Sequence, residues 1–341
     1  MHDYLSGIQQ IGIGVSDAEQ AMFTYKNLFG MNILIFDDIA TACLMKKYTG
    51  NQEFKRRAIL TMNLNGGGGF EIWQFLDRKP VENLNFKLGD LGINAAILKS
   101  NKLEKSHERL KILKSITVSD IQVSKVNVPY FFVNDGINNF KIIPDCDWFQ
   151  NGKHDLGGVV GAVIGVSDMQ KSLHFYQHIL GLDIILYEYE FVEHNISYKK
   201  VGLQKNATGK GAFNELLGNI MIELVQNLDS LPTRIYKNRF WGDTGFIHLC
   251  FDVLDMNALK KHAESNNYKF SVDSNNTYAM DNASGRFCYI EDPDGTLIEL
   301  VETHKVPILK KMGWYLDLRK RNKEKPLPRW MIKMLSLSKV K

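Results

Sequence analysis

The chain has 341 residues, a formal net charge of +4 and 44% hydrophobic residues. This length suits two domains of ordinary size, and the composition gives each a normal core. No apolar run approaches the ~20 residues of a membrane span, and no signal peptide opens the sequence, so we expect a cytoplasmic protein without a transmembrane segment. The four cysteines show neither CxxC spacing nor a disulfide framework, which agrees with that compartment.

Charge is distributed unevenly along the chain. Residues 305–341 contain twelve Lys and Arg against two acidic residues, whereas the preceding chain has 30 basic against 36 acidic residues. The body therefore carries −6 and the tail +10. A mildly acidic body with a basic tail is not typical of a nucleic-acid-binding fold, so nucleic acid is excluded as a partner.

In chain order, the first predicted unit contains one helix and several strands. Hydrophobic alternation predicts the first strand, and Asp17 is placed as the N-cap of a helix that stops at Gly30. The glycine run 65–69 predicts a flexible hairpin connection before the last strand. The predicted helix is 18–29, and the predicted strands are 8–15, 32–37, 41–46, 56–64 and 69–76.

This order of elements recurs three times. The second unit is predicted to contain strand 92–98, helix 102–114 and strands 118–125, 129–133 and 139–143. The third contains strand 159–166, helix 169–180 and strands up to Val225. The fourth contains strand 245–252, helix 255–266 and strands 268–273, 286–290 and 296–302. No glycine-rich phosphate loop follows a strand, so nucleotide binding has no support.

An internal repeat relates the two halves of the chain. The segment Ile8–Asp17 (IQQIGIGVSD) returns as Val159–Asp168 (VVGAVIGVSD), 151 positions later. Phe70–Pro80 returns as Ile222–Pro232 with an offset of 152. So constant an offset indicates two copies of one architecture. The predicted organisation is a pair of βαβββ modules at 1–145, a linker at 146–158, a second pair at 159–305 and a basic amphipathic tail at 306–341.

The module pattern resembles the vicinal oxygen chelate superfamily, which includes glyoxalase I, extradiol dioxygenases and bleomycin-resistance proteins. The resemblance is carried best by Gly245–Phe251 (GFIHLCF) and Asp292–Leu300 (DPDGTLIEL). It implies an α+β fold of four βαβββ modules, which form two domains with curved, mostly antiparallel sheets around a cavity. It says more about fold than about reaction, because this superfamily performs many reactions on one scaffold.

The resemblance also implies a metal site. Members of the superfamily bind a divalent metal ion with one residue from the first strand and one from the last strand of each of two modules. If the outer modules pair, these positions are Gln10, Glu71, His248 and Glu299. The inner modules then offer Asn94, Lys141 (or Ile142), Gly161 and Glu223, which form no credible metal site and leave Glu223 without partners. Pairing of neighbouring modules would give two damaged sites, so we favour the outer pairing.

The implied function is a metal-dependent lyase or isomerase of the glyoxalase type. In such an enzyme, vicinal oxygens of a small substrate chelate the ion, and an enediolate is stabilised. The mixed nitrogen and oxygen shell suits Zn, Ni, Co, Mn or Fe without selecting among them. Glu299 is the first candidate for the catalytic base and Glu71 the second, because Glu71 follows the glycine run.

A basic and aromatic stretch precedes the strand that carries His248. It contains Arg234, Lys237, Arg239 and Trp241. This stretch is either a clamp for an acidic substrate or a solvated loop.

Two other functions stay open at this point. An Fe(II)-dependent extradiol-type dioxygenase would use two histidines and one carboxylate, and Gly161 and Gln10 stand where a first histidine is needed. A non-catalytic protein of the resistance type would bind a small ligand without turnover, because fold does not fix function.

The tail carries an apolar stripe over 314–321. Pro326 and Pro328 separate this stripe from a second helical segment at 330–335. Such a tail is expected to dock on the acidic body or on a partner subunit of a homodimer. A membrane surface is the alternative.

Overall fold

The computed structural model describes residues 3–82, 86–152, 154–275, 278–280, 283–309 and 314–340. The first module contains β1 (Leu5–Gly14), α1 (Ala18–Phe29), β2 (Ile33–Thr41), β3 (Lys55–Met62) and β4 (Gly69–Phe75). The second contains β5 (Gly92–Ser100), α2 (Leu103–Lys111), β6 (Thr117–Val118), β7 (Gln122–Val123), β8 (Pro129–Asn134) and β9 (Asn139–Pro144).

The second half of the chain repeats this order. The third module contains β10 (Leu156–Val166), α3 (Met169–His174) with a π-helical turn at Phe175–Ile179, β11 (Ile184–Glu193), β12 (Ile196–Lys205), α4 (Asn214–Leu217) and β13 (Ile220–Asn227). The fourth contains β14 (Gly245–Val253), α5 (Met256–Ser265), β15 (Phe270–Asp273), β16 (Tyr278–Met280), β17 (Ala283–Glu291) and β18 (Leu297–Leu309). The tail adds β19 (Trp314–Asp317) and α6 (Arg329–Lys333).

The strands form two sheets, and each sheet joins modules that are placed symmetrically in the sequence. The outer sheet joins the first and fourth modules in the order β15-β17-β18-β14-β1-β4-β3-β2, with β16 and β19 attached at its side. The inner sheet joins the second and third modules in the order β11-β12-β13-β10-β5-β9-β8-β6, with β7 beside β8. The sequence halves 1–145 and 159–305 are therefore not the two sheets. The expected α+β fold with curved sheets is confirmed.

One apolar core holds both sheets together. Tyr25 of α1 makes edge-to-face contacts with Phe70 of the outer sheet, at 5.1 Å between ring centroids, and with Phe140 of the inner sheet, at 5.9 Å. Asp17 caps this helix as expected, accepting a hydrogen bond of 2.9 Å from the Gln20 amide. The opposite faces of the sheets carry smaller apolar clusters, which include Trp73 and Tyr289 in the outer sheet and Ile97 and Val225 in the inner sheet.

The strand predicted over 41–46 is wrong. The chain instead forms a 3₁₀-helix at Cys43–Tyr48. Met45 is buried at 4% exposure, whereas Lys46 and Lys47 point outward to Glu53 and Glu291, at 2.6 and 2.7 Å. One buried apolar residue followed by two paired lysines matches a helical turn better than the alternation of a strand.

The glycine run is not the flexible connection that the sequence suggests. Gly66 and Gly67 have φ values of +118° and +94°, and residues 66–69 are all buried. A Cβ at Gly67 would lie 2.7 Å from the Gly158 carbonyl carbon, and Gly68 forms a bridge with Val159. The glycines are needed because the backbones of the two sheets touch here.

The tail docks on the body. The strand β18 continues past the expected boundary at 305, and β19 pairs with it antiparallel. Leu318, Leu327 and Ile332 are buried in a cluster with residues of the body, and Arg329 lies 3.0 Å from Glu215. The stripe at 314–321 is a strand and a 3₁₀ turn rather than a helix, because its residues extend an existing sheet. None of the helices in the described ranges is long and apolar enough to span a membrane.

Candidate metal centre

Four neighbouring strands of the outer sheet position the four predicted ligands. In the ladders around β1, Gly12 lies opposite both Glu71 of β4 and His248 of β14. Gln10 lies opposite Cys250, which in turn lies opposite Glu299 of β18. The four side chains therefore share the face of the sheet that is not covered by helices, because side chains two residues apart on a strand point the same way.

The four side chains converge on one point. The Gln10 Nε2 atom lies 3.2 Å from Oε2 of both Glu71 and Glu299. The His248 Nε2 atom lies 3.1 Å from Glu71 Oε2 and 3.2 Å from Glu299 Oε2. Within the described ranges, Glu71, His248 and Glu299 are the one group of three whose ligand atoms all lie within 4.8 Å of one another. We call these three residues and Gln10 the carboxylate–imidazole cluster.

Two buried polar atoms in this cluster are not satisfied by hydrogen bonds. Gln10 Oε1 has no partner, and His248 Nε2 lies near both carboxylates but makes no well-directed hydrogen bond to either. Such atoms are costly to bury, so a bound ion or water is the usual explanation. The Gln10 amide faces the carboxylates with its Nε2 atom, and turning the amide over brings its oxygen to the same place. Two carboxylates, one imidazole nitrogen and one amide oxygen within this radius fit a divalent metal ion.

The ring of His248 is held from both sides. Its Nδ1 atom lies 3.1 Å from the Tyr289 hydroxyl, and its face stacks on Trp241 at 6.2 Å between centroids. A hydrogen bond at Nδ1 fixes the orientation in which Nε2 points into the cluster. Gly12 makes room for the ring, because a Cβ there would lie 2.5 Å from His248 Cε1.

Burial and the neighbouring charges together set the pKa shifts of the titrating groups in the cluster. Burial alone would lower the pKa of His248, but Glu299 and Glu71 outweigh it and the net shift is upward. Burial raises the pKa of Glu299, and the neighbouring Glu71 adds to this while His248 opposes it. The pKa of Tyr289 is raised well above its usual value by burial and by the two glutamates, so Tyr289 stays a phenol.

The inner sheet has a different cluster at the equivalent place. Lys141 forms a short ion pair with Glu223, whose other partners are the Tyr187 hydroxyl and Lys200, the latter at 3.6 Å. We call Lys141, Lys200 and Glu223 the lysine–glutamate cluster. The expectation that Glu223 lacks partners is therefore wrong, because a lysine ammonium occupies the place of a metal ion.

Asn94 does not face this inner cluster. Cys250 lies opposite Glu299, and Ile97 lies opposite Lys141, so the residue equivalent to His248 is Ala95, two positions before Ile97. Asn94 instead accepts a hydrogen bond from the Gly89 amide at 2.7 Å and donates to the Asp90 carbonyl at 2.7 Å. The prediction of Asn94 is wrong by one position, since Ala95 occupies the equivalent place. A strand that begins at a glycine does not show from its sequence alone which residues face the cavity.

Comparisons with known proteins identify a family for part of the chain. Residues 158–300 match the model of the Glyoxalase/Bleomycin resistance protein/Dioxygenase superfamily. This part of the chain belongs to that superfamily. No curated protein matches the sequence.

Solved structures extend the likeness to most of the chain. Glyoxalase I from Zea mays is 13% identical, with a TM-score of 0.55, over 87% of this chain and 92% of that one. A putative dioxygenase from Bacillus subtilis subsp. subtilis str. 168 is 15% identical, also with a TM-score of 0.55, over 88% of this chain and 86% of that one. Identities this low show that the superfamily fold is shared and say nothing about the reaction.

The predicted substrate residues lie in different surroundings. Arg234 and Lys237 are exposed on the loop before β14. Arg239 donates hydrogen bonds to the carbonyls of Ile235, at 3.1 Å, and Val81, at 3.2 Å, so its guanidinium ties the loop together. Trp241 is 6% exposed and stacks on His248. Of the four, Trp241 is the one brought to the cluster.

Sequence reasoning missed Gly12 and the role of Tyr289 beside His248. Gly12 carries the clearer signal, because a glycine within an apolar strand often marks a close approach by another group. Nothing in the sequence indicates that the approaching group is an imidazole 236 positions away.

Proposed function

We propose that the carboxylate–imidazole cluster binds a divalent metal ion through Gln10, Glu71, His248 and Glu299. The observation that carries this proposal is the convergence of four buried side chains from four strands, two of them with unpartnered donor atoms. A bound ion would neutralise the two carboxylates and coordinate His248 Nε2, and it would coordinate Gln10 Oε1 once the amide has turned over. This accounts for an arrangement that is otherwise costly to bury.

We further propose that the protein is a lyase or isomerase of the glyoxalase type, acting on a small substrate with vicinal oxygens. When bound, the metal ion supplies Lewis-acid stabilisation of the negative charge that develops as a proton leaves a carbon beside a carbonyl. The base that takes this proton is one of the two carboxylates. Their Oε2 atoms lie alike, within 3.2 Å of both Gln10 Nε2 and His248 Nε2, and the packed glycine run removes the reason to prefer Glu299.

The surrounding residues keep water away from this proton. Trp73, Trp241 and Tyr289 lie beside the cluster, with Trp73 and Trp241 4.4 Å apart between ring centroids. These aromatic side chains are buried and belong to one apolar cluster of the outer sheet. An aromatic lining that excludes water strengthens the electrostatic interactions of the site.

Hydrogen exchange tests the reaction. The metal-loaded protein is incubated in D₂O with small α-hydroxy ketones and the hemithioacetals of 2-oxo aldehydes, and loss of the carbon-bound hydrogen is followed by NMR. We expect exchange or isomerisation in the wild type and a loss of roughly 100-fold or more in Glu299→Gln or Glu71→Gln, whichever residue is the base. Metal retained without exchange by any of these compounds would contradict the enzymatic role. Oxygen uptake with catechols would identify a dioxygenase instead.

A further inference from the structure

The lysine–glutamate cluster has an excess of positive charge on a largely buried surface. The side chains of Lys141, Lys200 and Glu223 are 5%, 11% and 1% exposed. Lys141 neutralises Glu223 through a short ion pair, whereas the Lys200 ammonium lies 3.6 Å away from the second carboxylate oxygen. Two ammonium groups against one carboxylate leave one positive charge without a counter-ion among these three side chains. A desolvated charge of this kind favours the binding of an anion.

Two tyrosines lie beside this charge: the Lys141 ammonium is 4.4 Å from the centroid of the Tyr130 ring, and Tyr189 lies opposite Lys200 in the ladder of β11 and β12. Among the described residues, the hydroxyls of Tyr130 and Tyr189 have no hydrogen-bond partner, and the Lys200 ammonium lies 3.6 Å from Glu223 and 5.2 Å from the centroid of the Phe191 ring. Burial, followed by the charge of Glu223, raises the pKa of Tyr130 and raises that of Tyr189 to about 12. Both phenols therefore keep their protons at neutral pH and can donate to an oxygen of a ligand.

The walls of this region are aromatic and partly open. Tyr187 and Tyr189 lie 5.6 Å apart, and Tyr189 and Phe191 lie 5.9 Å apart, between ring centroids. The rings of Tyr130, Tyr187 and Tyr189 are half-buried, so solvent reaches this edge of the sheet. Half-buried rings offer a flat apolar body both a surface to stack on and a way in.

We propose that the inner sheet holds a second, metal-independent binding site for a small aromatic monocarboxylate. The carboxylate pairs with Lys200 and accepts hydrogen bonds from Tyr130 and Tyr189, and the ring packs among the tyrosines. A cation is disfavoured because Lys141 already fills the cationic position. This site does not depend on the proposed metal centre, since it lies on the other sheet and uses none of its residues.

Calorimetric titration of the full chain with benzoate tests the proposal. Benzyl alcohol serves as a ring without the charge, and acetate as the charge without the ring. We expect benzoate to bind at least tenfold more tightly than either probe, since a charge-assisted bond and ring stacking each contribute about this factor. Lys200→Met should weaken benzoate binding roughly tenfold, and Tyr189→Phe about threefold.

Two control variants test whether benzoate binds at this site. One removes a neighbouring positive charge, and the other changes the carboxylate–imidazole cluster. Lys199→Gln removes the neighbouring ammonium, which pairs with Glu188 at 2.6 Å, and should leave benzoate binding unchanged. His248→Ala should also leave it unchanged. The proposal is overturned if wild type binds benzoate no better than benzyl alcohol, if Lys200→Met and Tyr189→Phe bind it as wild type does, or if either control variant loses it.

Discussion

The outer and inner sheets keep one carboxylate at the same place and balance its charge in opposite ways. Glu71 and Glu223 lie at matching positions of β4 and β13. Each is the last of three residues that lie opposite one another on three neighbouring strands. In the outer sheet these residues are Phe36, Leu60 and Glu71, and in the inner sheet they are Tyr187, Gly202 and Glu223. The partner across each cavity is Glu299 in one case and Lys141 in the other.

This difference shows how a duplicated scaffold becomes specialised. A second carboxylate and an imidazole need an external cation, whereas a lysine supplies an internal one that cannot leave. Gly202 makes the inner arrangement fit, because a Cβ there would lie 2.4 Å from the Tyr187 ring. In the proposed function, the outer sheet binds a cation at the place where the inner sheet has an internal ion pair.

The largest expected effect is loss of metal from the outer sheet. His248→Ala removes a ligand with no substitute nearby, and we expect metal affinity to fall by more than about 100-fold, the upper range for residues that merely support a ligand. Metal content of protein purified without chelators measures this. Lys141→Met, on the inner sheet, is the matched control and should keep its metal. Equal metal content in both variants would break the comparison.

The second effect is loss of stability from the inner sheet. Lys141→Met leaves the buried Glu223 carboxylate with the Tyr187 hydroxyl and the more distant Lys200 ammonium. We expect the free energy of unfolding to fall by about 3 kcal/mol, the lower range for breaking a buried pair. Urea denaturation measures the change. The double variant Lys141→Met/Glu223→Leu should recover most of it, because an apolar pair needs no counter-ion. A stable Lys141→Met single variant would show that the ion pair is dispensable.

The third effect tests whether the space that Gly12 leaves for the His248 ring is needed for metal binding, apart from any effect on stability. Gly12→Ala pushes the His248 ring away, so metal affinity should fall roughly tenfold or more even where the protein stays folded. Gly14→Ala, on the same strand, would place a Cβ 2.0 Å from the Asp243 carbonyl oxygen but far from His248. It should lower the melting temperature and retain metal. If both variants bind metal equally well per folded molecule, Gly12 has no special role.

The smallest effect is a difference in pH dependence between the sheets. In the outer sheet, burial raises the pKa of Asp252 to about 7 although Ser6 and Gln9 donate to it, and the nearby Glu302 adds to the rise. The folded protein therefore keeps a proton that the unfolded chain, with its pKa of 3.8, has released. Stability contributed by this proton is present at low pH and is lost as the pH rises from about 4 to 7.

Glu223 affects the pH dependence of stability in the opposite direction from Asp252. Burial would raise its pKa, but Lys141 and Lys200 lower it from 4.5 to about 2. Its contribution is present above about pH 4.5 and is lost as the pH falls toward 2. Urea denaturation across pH should therefore show a flatter slope between pH 4 and 7 for Asp252→Asn, and a flatter slope below pH 4.5 for Glu223→Gln. Slopes that match wild type in both variants would remove this difference between the sheets.

The sequence predicted those features that depend on repetition and alternation. The constant offset between Ile8 and Val159 gave the modules, and the resemblance to the vicinal oxygen chelate superfamily implied Gln10, Glu71, His248 and Glu299 as ligands. Pairing of the outer modules was inferred from the completeness of this set rather than from any local signal. The function that these residues perform stays a prediction.

Other features depend on contacts that no local pattern encodes. The partners of Glu223 come from Lys141 and Lys200, 82 and 23 positions away, and the glycine run is rigid because Gly158 packs against it. The 3₁₀-helix at Cys43–Tyr48 reads as a strand when only apolar residues are considered. In each case a tertiary contact decided the outcome against a local preference.

The pairing of β1 with β14 has a consequence for how the chain is made. Leu5 lies opposite Val253, so the first strand must stay without this neighbour until almost 250 more residues have been synthesised. All strands of the inner sheet have been synthesised once Asn227 has left the ribosome, and this sheet offers a surface on which the first module can pack. Contacts of such long sequence separation slow folding, so the outer sheet should form last. Until β14 is available, β1 exposes an unpaired edge. The chain is therefore most prone to aggregation while it is still bound to the ribosome.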